Sequence, residues 1–223
     1  TVNEDRVGVK DGVAGGLLAI VADGMGGHRA GDTASQITIE LVESSLRAAT
    51  GRIDDGGLEE QLVEAIRLAN AKVFEIASGK EHYRGMGTTV TVALADENSV
   101  LIGHIGDSRA YYINHDQFMQ LTEDHTLVNE LVKTGQLTPD EAANHPRRNV
   151  VTRALGTQPD VAVDVTRRSW SRGDMLMLCS DGLTNKVPPE VLMRLLRGEH
   201  SLEEKSEQLV EYALEAGGDD NIT

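Results

Sequence analysis

The chain has 223 residues, 39% of them hydrophobic and 26% charged, enough to bury a substantial core in one large domain spanning residues 1–223. Only 3% are aromatic, so that core must be built from Leu, Ile, Val, Ala and Met. A formal charge of −15 excludes the basic footprint on which non-specific nucleic-acid binding depends. The longest aliphatic stretches, such as Leu17 to Ala22, are too short to cross a bilayer, and the N-terminus lacks a basic-then-apolar signal layout, so no membrane insertion is expected. The lone cysteine, Cys179 in the run DMLMLC, reads as a small buried side chain in a reducing compartment, and cytoplasm is the expected location.

Leu17 to Ala22 reads as a buried strand ending at Asp23-Gly24 and opening into a tight loop. Apolar residues then recur at helical spacing from Ala30 to about Ala49 and from about Leu58 to Ala77, which predicts two long amphipathic helices split by a Gly/Asp linker. The period changes in the middle of the chain. Thr88 to Leu94, Ser99 to Ile105, Arg109 to Ile113 and Gln117 to Leu121 are runs broken by turn residues, expected to form an antiparallel meander. Between about Thr126 and Gly156 the pattern is helical and irregular, with Thr138 as N-cap, Pro139 at the first helical position and Glu141 completing a capping box. Strands resume at Val161 to Thr166 and Asp174 to Ser180. Helices follow at about Pro189 to Leu196 and Leu202 to Ala216, the last opened by a Ser201/Glu204 capping box. Helices and strands come in separate runs, so antiparallel sheets with helices packed outside, an α+β layered sandwich, are expected over parallel winding.

Aspartates recur where the chain turns: Glu4-Asp5, Asp23-Gly24, Asp107 in GDSR, Asp181-Gly182 and Asp219-Asp220-Asn221. Any one of these alone is an ordinary turn, in which Asp bonds its own backbone and Gly supplies positive φ. Their recurrence after apolar strands is more informative, because Asp23, Asp107 and Asp181 would project from one rim if those strands share a sandwich. Hard oxygen ligands without a Cys or His cluster suit Mg²⁺ or Mn²⁺ rather than zinc, and a paired-metal site is plausible.

NED at Asn3 to Asp5, DGMGGHRAGDTAS from Asp23, GMGTT from Gly85, GDSRAY from Gly106, LTEDHTLVNELV from Leu121, HPRRNVVTRALG from His145, CSDGL from Cys179 and DDNIT from Asp219 follow one another in order. On these motifs the chain resembles, over nearly its whole length, the bacterial branch of the metal-dependent Ser/Thr protein phosphatases of the PPM (type 2C) family. The resemblance implies a four-layer αββα sandwich, two antiparallel sheets between pairs of helices, with the metals at one end. It implies that Asp23 bridges two Mn²⁺ or Mg²⁺ ions, that the Gly24 carbonyl binds the first, and that Asp181 and Asp220 hold the second. By the same resemblance Glu4 and Asp5 act through water, and Asp107 joins Asp181 at a weaker third ion. Residues from about 125 to 156 look like the family's flap.

The implied reaction is hydrolysis of phosphoserine and phosphothreonine on proteins, reversing a bacterial Ser/Thr kinase, by a monomer. Two divalent ions about 3.5–4 Å apart lower the pKa of a water and clamp the phosphoryl oxygens for in-line displacement, so no Ser or Cys nucleophile is needed. Neither Ser108 nor Cys179 has the surroundings of one. Met25 stands where eukaryotic relatives carry a histidine. His28 is a candidate acid or phosphate contact, with a solvent-facing loop histidine as the alternative. Arg147, Arg148 and Arg153 are either guides for phosphopeptides or solvated surface charge. The family's phosphate-gripping arginine would precede Thr1 and its last strand would follow Thr223, so a crop at both ends is expected. A non-catalytic phosphoprotein-binding scaffold and a phosphatase of anti-sigma-factor antagonists are the competing readings.

Overall fold

The computed structural model describes residues 2–27 and 29–223. Strands β1 (Asp5–Val13), β2 (Gly16–Met25), β4 (Val90–Ala95), β5 (Ser99–Ile105) and β8 (Asp164–Ser169) lie side by side in that order as one antiparallel sheet, with the short β3 (Gly87–Thr88) paired to the end of β2. A second antiparallel sheet has β6 (Arg109–Ile113) between β7 (Phe118–Gln120) and β9 (Met175–Cys179).

Strand periodicity explains how the layers stack. Leu18, Ile20 and Ala22 of β2, Val90, Val92 and Leu94 of β4, and Leu101 and Ile105 of β5 share one buried cluster with Val42, Leu46, Leu58, Leu62 and Ile66 from helices α1 (Arg29–Leu46) and α2 (Gly57–Gly79). The alternate residues Ala93, Val100 and Ile102 turn the other way and meet Ala110, Leu176 and Leu178 of the second sheet. The far face of that sheet, with Tyr111, Ile113 and Cys179, packs on Leu192, Leu196, Leu209 and Ala213 of α6 (Pro189–Arg197) and α7 (Leu202–Glu215). The result is the expected four-layer αββα sandwich. Buried on both faces, the central strands read as continuous apolar runs rather than as alternating ones.

Several elements match their sequence reading. Thr138 and Ser201 each cap a helix in a complete capping box, with Glu141 and Glu204 returning the bond, and Pro139 opens α4 (Pro139–Ala143). Cys179 is buried, and burial pushes its thiol up to about 12. Among the described residues no helix is long and apolar enough to cross a membrane.

Three expectations need correction. The middle strands are not a single meander: β5 pairs with β4 and β8, whereas β6 pairs with β7 and β9, so the chain changes sheets at Gly106-Asp107-Ser108. The turn depends on Gly106 at φ +110°, where a Cβ would also come within 2.6 Å of Thr89. Second, β2 does not end at Asp23; it runs on to Met25 because β3 supplies partners to Gly24 and Met25. Third, the strand expected from Val161 begins at Asp164, where pairing to His104 starts.

Candidate metal centre

Each acidic residue is placed by a different local device. Asp5 opens β1 directly opposite Asp23 in β2, and the Gly24 N–H donates to the Glu4 carbonyl at 3.2 Å, which brings the NED segment and the DG segment together. A Cβ on Gly24 would sit 2.1 Å from the Gly31 carbonyl oxygen, so only glycine lets the start of α1 approach so closely. The Asp23 carbonyl accepts from the Thr89 N–H at 2.9 Å and the Thr88 hydroxyl at 2.9 Å, while the Asp23 N–H donates to the Thr89 hydroxyl oxygen at 3.1 Å. Thr89 Oγ1 in turn lies 2.7 Å from Ser108 Oγ, beside Asp107.

Asp181 is the first residue of the short helix α5 (Asp181–Thr184), with Ser180 in the N-cap position but its side chain engaged elsewhere. The Ser180 hydroxyl donates to Asp5 Oδ2 at 2.8 Å, and its backbone N–H donates to the Thr223 carbonyl at 3.0 Å. The chain's last segment is thereby drawn against α5, with a Cβ on Gly182 falling only 1.9 Å from the Asn221 carbonyl oxygen. Asn221 also accepts from the Glu4 N–H through Oδ1 at 2.8 Å. Asp220 is exposed, yet its charge acts on both Asp5 and Asp181. Asp219 pairs with Lys186.

Glu4, Asp5, Asp23, Asp107, Asp181 and Asp220 are thus brought together from separate parts of the chain. Burial, then the charges of Asp5 and Asp181, push the Asp23 carboxyl up to about 10. Burial and the neighbouring Asp181 and Asp124 raise Asp107 to about 7, with the Arg109 cation opposing. Asp5 and Asp181 are raised as well, first by burial, with Asp220 adding to both. Asp181 Oδ2 accepts from Asn185 at 3.1 Å, while Oδ1 is buried and accepts from no donor among the described residues. Among those residues no group of three or more His, Cys, Asp or Glu side chains is drawn into a ready-made metal cage. What the structure holds is a set of crowded carboxylates that either protons or divalent cations can neutralise.

A cavity of about 530 Å³ opens beside this group, running from Asp107 and Asp181 to Val128, Val132, Pro139 and Ala142 of α3 (Leu127–Lys133) and α4. Arg109 at its edge is pinned to Asp124, with Nε–Oδ1 at 2.9 Å and Nη2–Oδ2 at 2.6 Å. Arg148 is exposed and lines the same cavity, whereas Arg147 is exposed without lining it. Arg153 bonds Asp164 at 2.7 Å and the Ala162 carbonyl at 3.1 Å, so its charge is already engaged. Met25 ends β2 at the same rim. His28 lies outside the described residues. Sequence reasoning gave no positioning role to Thr88, Thr89, Ser108, Asp124 or His125; the signal available was polar residues directly flanking strand ends inside the GMGTT, GDSRAY and LTEDHT segments.

The protein phosphatase 2C family model matches residues 1–215. The serine/threonine phosphatase stp of Listeria innocua is 40% identical over 221 residues, covering 99% of this chain and 88% of that protein. Stp1 of Staphylococcus aureus superposes with a TM-score of 0.93 at 39% identity, over 100% of this chain and 87% of that one. The catalytic domain of PstP, solved in complex with two manganese ions, gives a TM-score of 0.85 at 36% identity, over 100% of this chain and 89% of its own. Sheets and flanking helices are all within these matches, and the chain belongs to the protein phosphatase 2C family, as one of its bacterial protein-serine/threonine phosphatases.

Proposed function

We propose that the chain hydrolyses phosphoserine and phosphothreonine on proteins, reversing the action of a Ser/Thr kinase, at a binuclear centre of Mn²⁺ or Mg²⁺. In this reading Asp23, the Gly24 carbonyl, Asp181 and Asp220 would hold the two ions. Glu4 and Asp5 would contribute through water, and Asp107 with Asp181 would hold a weaker third ion. The supporting observation is the convergence of these carboxylates, with Asp23 pushed up to about 10 and Asp181 Oδ1 buried without a donor among the described residues. Such a group gains most from hard divalent cations, and an all-oxygen donor set fits them.

When bound, the ions would supply Lewis acidity, lowering the pKa of a water and neutralising charge on the phosphoryl oxygens. The chain's own residues do the positioning. Asn185 orients Asp181 through Oδ2, the Ser180 hydroxyl orients Asp5, and the Thr88 and Thr89 hydroxyls fix the backbone on either side of Asp23. The cavity leading from Asp107 and Asp181 to α3 and α4 gives the phosphorylated residue its approach, with residues 125–156 acting as the flap beside it.

The test is Mn²⁺-dependent release of phosphate from a phosphothreonine peptide. Release that chelator abolishes and Mn²⁺ restores is expected; no release with Mn²⁺ present would overturn the reading.

A further inference from the structure

Asp107 stands at the point where the chain leaves one sheet for the other, on a stretch with no ladder of its own, so something must hold it. On one side the Ser108 hydroxyl meets Thr89, which also bonds the Asp23 N–H. On the other side Gly106 is gripped twice by a single residue. Its carbonyl accepts from the His125 backbone N–H at 2.9 Å, and its own N–H donates to His125 Nδ1 at 2.9 Å. An amide N–H can only donate, so Nδ1 is the acceptor and the ring proton sits on Nε2. Nε2 then donates to Asp164 Oδ2 at 2.8 Å, while Arg153 occupies Oδ1 at 2.7 Å. Partial burial works to raise Asp164, yet the bonds from His125 and Arg153 hold it below the ordinary carboxylate range, in the form that accepts both.

His125 is buried, and its backbone also closes the base of the 125–156 segment. The Thr152 N–H donates to its carbonyl at 2.8 Å, and Thr126 bridges Val151 in the next position. One residue therefore joins three things: its ring ties the loop that carries Asp107 to the first residue of β8, and its backbone closes the root of the α3–α4 segment that walls the cavity.

We propose that His125 is a positioning residue for Asp107, its Nδ1 holding the Gly106 amide and thereby fixing where the Asp107 carboxylate stands relative to Asp181. The proposal rests on the phosphatase reading for its kinetic consequence and on geometry alone for the clamp. His125 touches neither substrate nor ion in this scheme. Partners that orient a metal-binding carboxylate from behind typically matter by about 10–100-fold in affinity or activity when removed.

A pair of amide substitutions separates the two bonds of the ring. In His125→Asn the side-chain oxygen can stand near the Nδ1 position and accept from Gly106. In His125→Gln the amide reaches the Nε2 position and can donate to Asp164, but leaves the Gly106 N–H without its acceptor. The full chain and both variants would be assayed for p-nitrophenyl phosphate hydrolysis with Mn²⁺, and for hydrogen exchange at the Gly106 amide in the absence of metal. Expected are a kcat lowered about 10–100-fold in His125→Gln with KM little changed, a kcat largely rescued in His125→Asn, and fast Gly106 exchange in the Gln variant alone. Equal kcat and equal exchange in the two variants would overturn the proposal, as would a His125→Gln enzyme with the parent kcat. If the parent chain shows no hydrolysis, the phosphatase reading fails by itself and the exchange contrast still decides whether the clamp exists.

Discussion

Asp5 and Asp23 face each other across the β1–β2 ladder, two carboxylates in directly opposed positions of one antiparallel pair. Like charges so placed destabilise a sheet, and here burial removes the water that would screen them. With its carboxyl pushed up to about 10, Asp23 must take up a proton when the metal-free chain folds at pH 7, whereas Asp23→Asn is neutral in both states without a change of shape. We expect the metal-free variant to melt higher than the parent at pH 7, by about 2–4 °C for each kcal/mol of that cost removed in a chain of this size. Its Mn²⁺-dependent turnover should fall by more than the roughly 10–100-fold that supporting residues command. Thermal melts in chelator beside phosphatase assays check both halves; a variant less stable than the parent would show that Asp23 serves the fold.

Asp181 makes the same point from the other side. Among the described residues its Oδ1 has no donor, and the carboxylate bonds the side chains of Asn185 and Asp23, so little of the fold outside the centre depends on it. Asp181→Ala is expected to keep the parent circular dichroism in chelator and to lose turnover. A ligand that binds only the folded state stabilises it by mass action, so Mn²⁺ should raise the parent melting temperature and raise that of the variant much less. An unchanged Mn²⁺ response in Asp181→Ala would remove this residue from the centre.

The sequence made some of this plain and hid the rest for identifiable reasons. Helices α1, α2, α6 and α7 are legible because each buries one face at a 3.6-residue period, and the Thr138 and Ser201 capping boxes are local chemistry that needs no tertiary context. The move from one sheet to the other at Gly106 is not legible, because β5 and β6 look like neighbours of a meander and pairing partners are set by residues near position 165 and position 177. Asp23 could be singled out by its place after LLAIVA, but its opposition to Asp5 depends on β1 register. The sequence signal for His125 was weak, since a single histidine in a polar segment says nothing about the amide it will meet.

Gly182 tests the closeness of α5 and the chain's last segment. A methyl group there would overlap the Asn221 carbonyl, whose distance from an added Cβ is 1.9 Å, and backbone cannot rotate away as a side chain can. Gly182→Ala should cost about 1–3 kcal/mol of stability, as overpacking does. It should also weaken Mn²⁺ binding measured by calorimetry, because Asn221 must shift and Asp220 precedes it. Parent-like stability and Mn²⁺ affinity together would mean that the segment has room to move.

His104 faces the space between the sheets, 1% exposed, its Nε2–H donating to the Glu123 carbonyl at 3.0 Å and its Nδ1 accepting from the Thr91 hydroxyl at 2.9 Å. Burial, and then the nearby His125 ring, lower it from 6.5 to about 4. The unfolded chain therefore takes up a proton at this position before the folded protein does, and stability falls as pH drops through that interval. The contribution is whole above about pH 6.5 and lost below about pH 4; at roughly 1.4 kcal/mol per pH unit it is worth on the order of 3 kcal/mol. His104→Gln has no proton to gain. It should be less stable than the parent at pH 7.5, where it loses ring packing, but the difference should shrink steadily in urea titrations between pH 6.5 and 4. The carboxylates of the metal centre are common to both proteins and largely cancel in that difference, so parallel pH profiles would show that the imidazole between the sheets titrates no differently folded than unfolded.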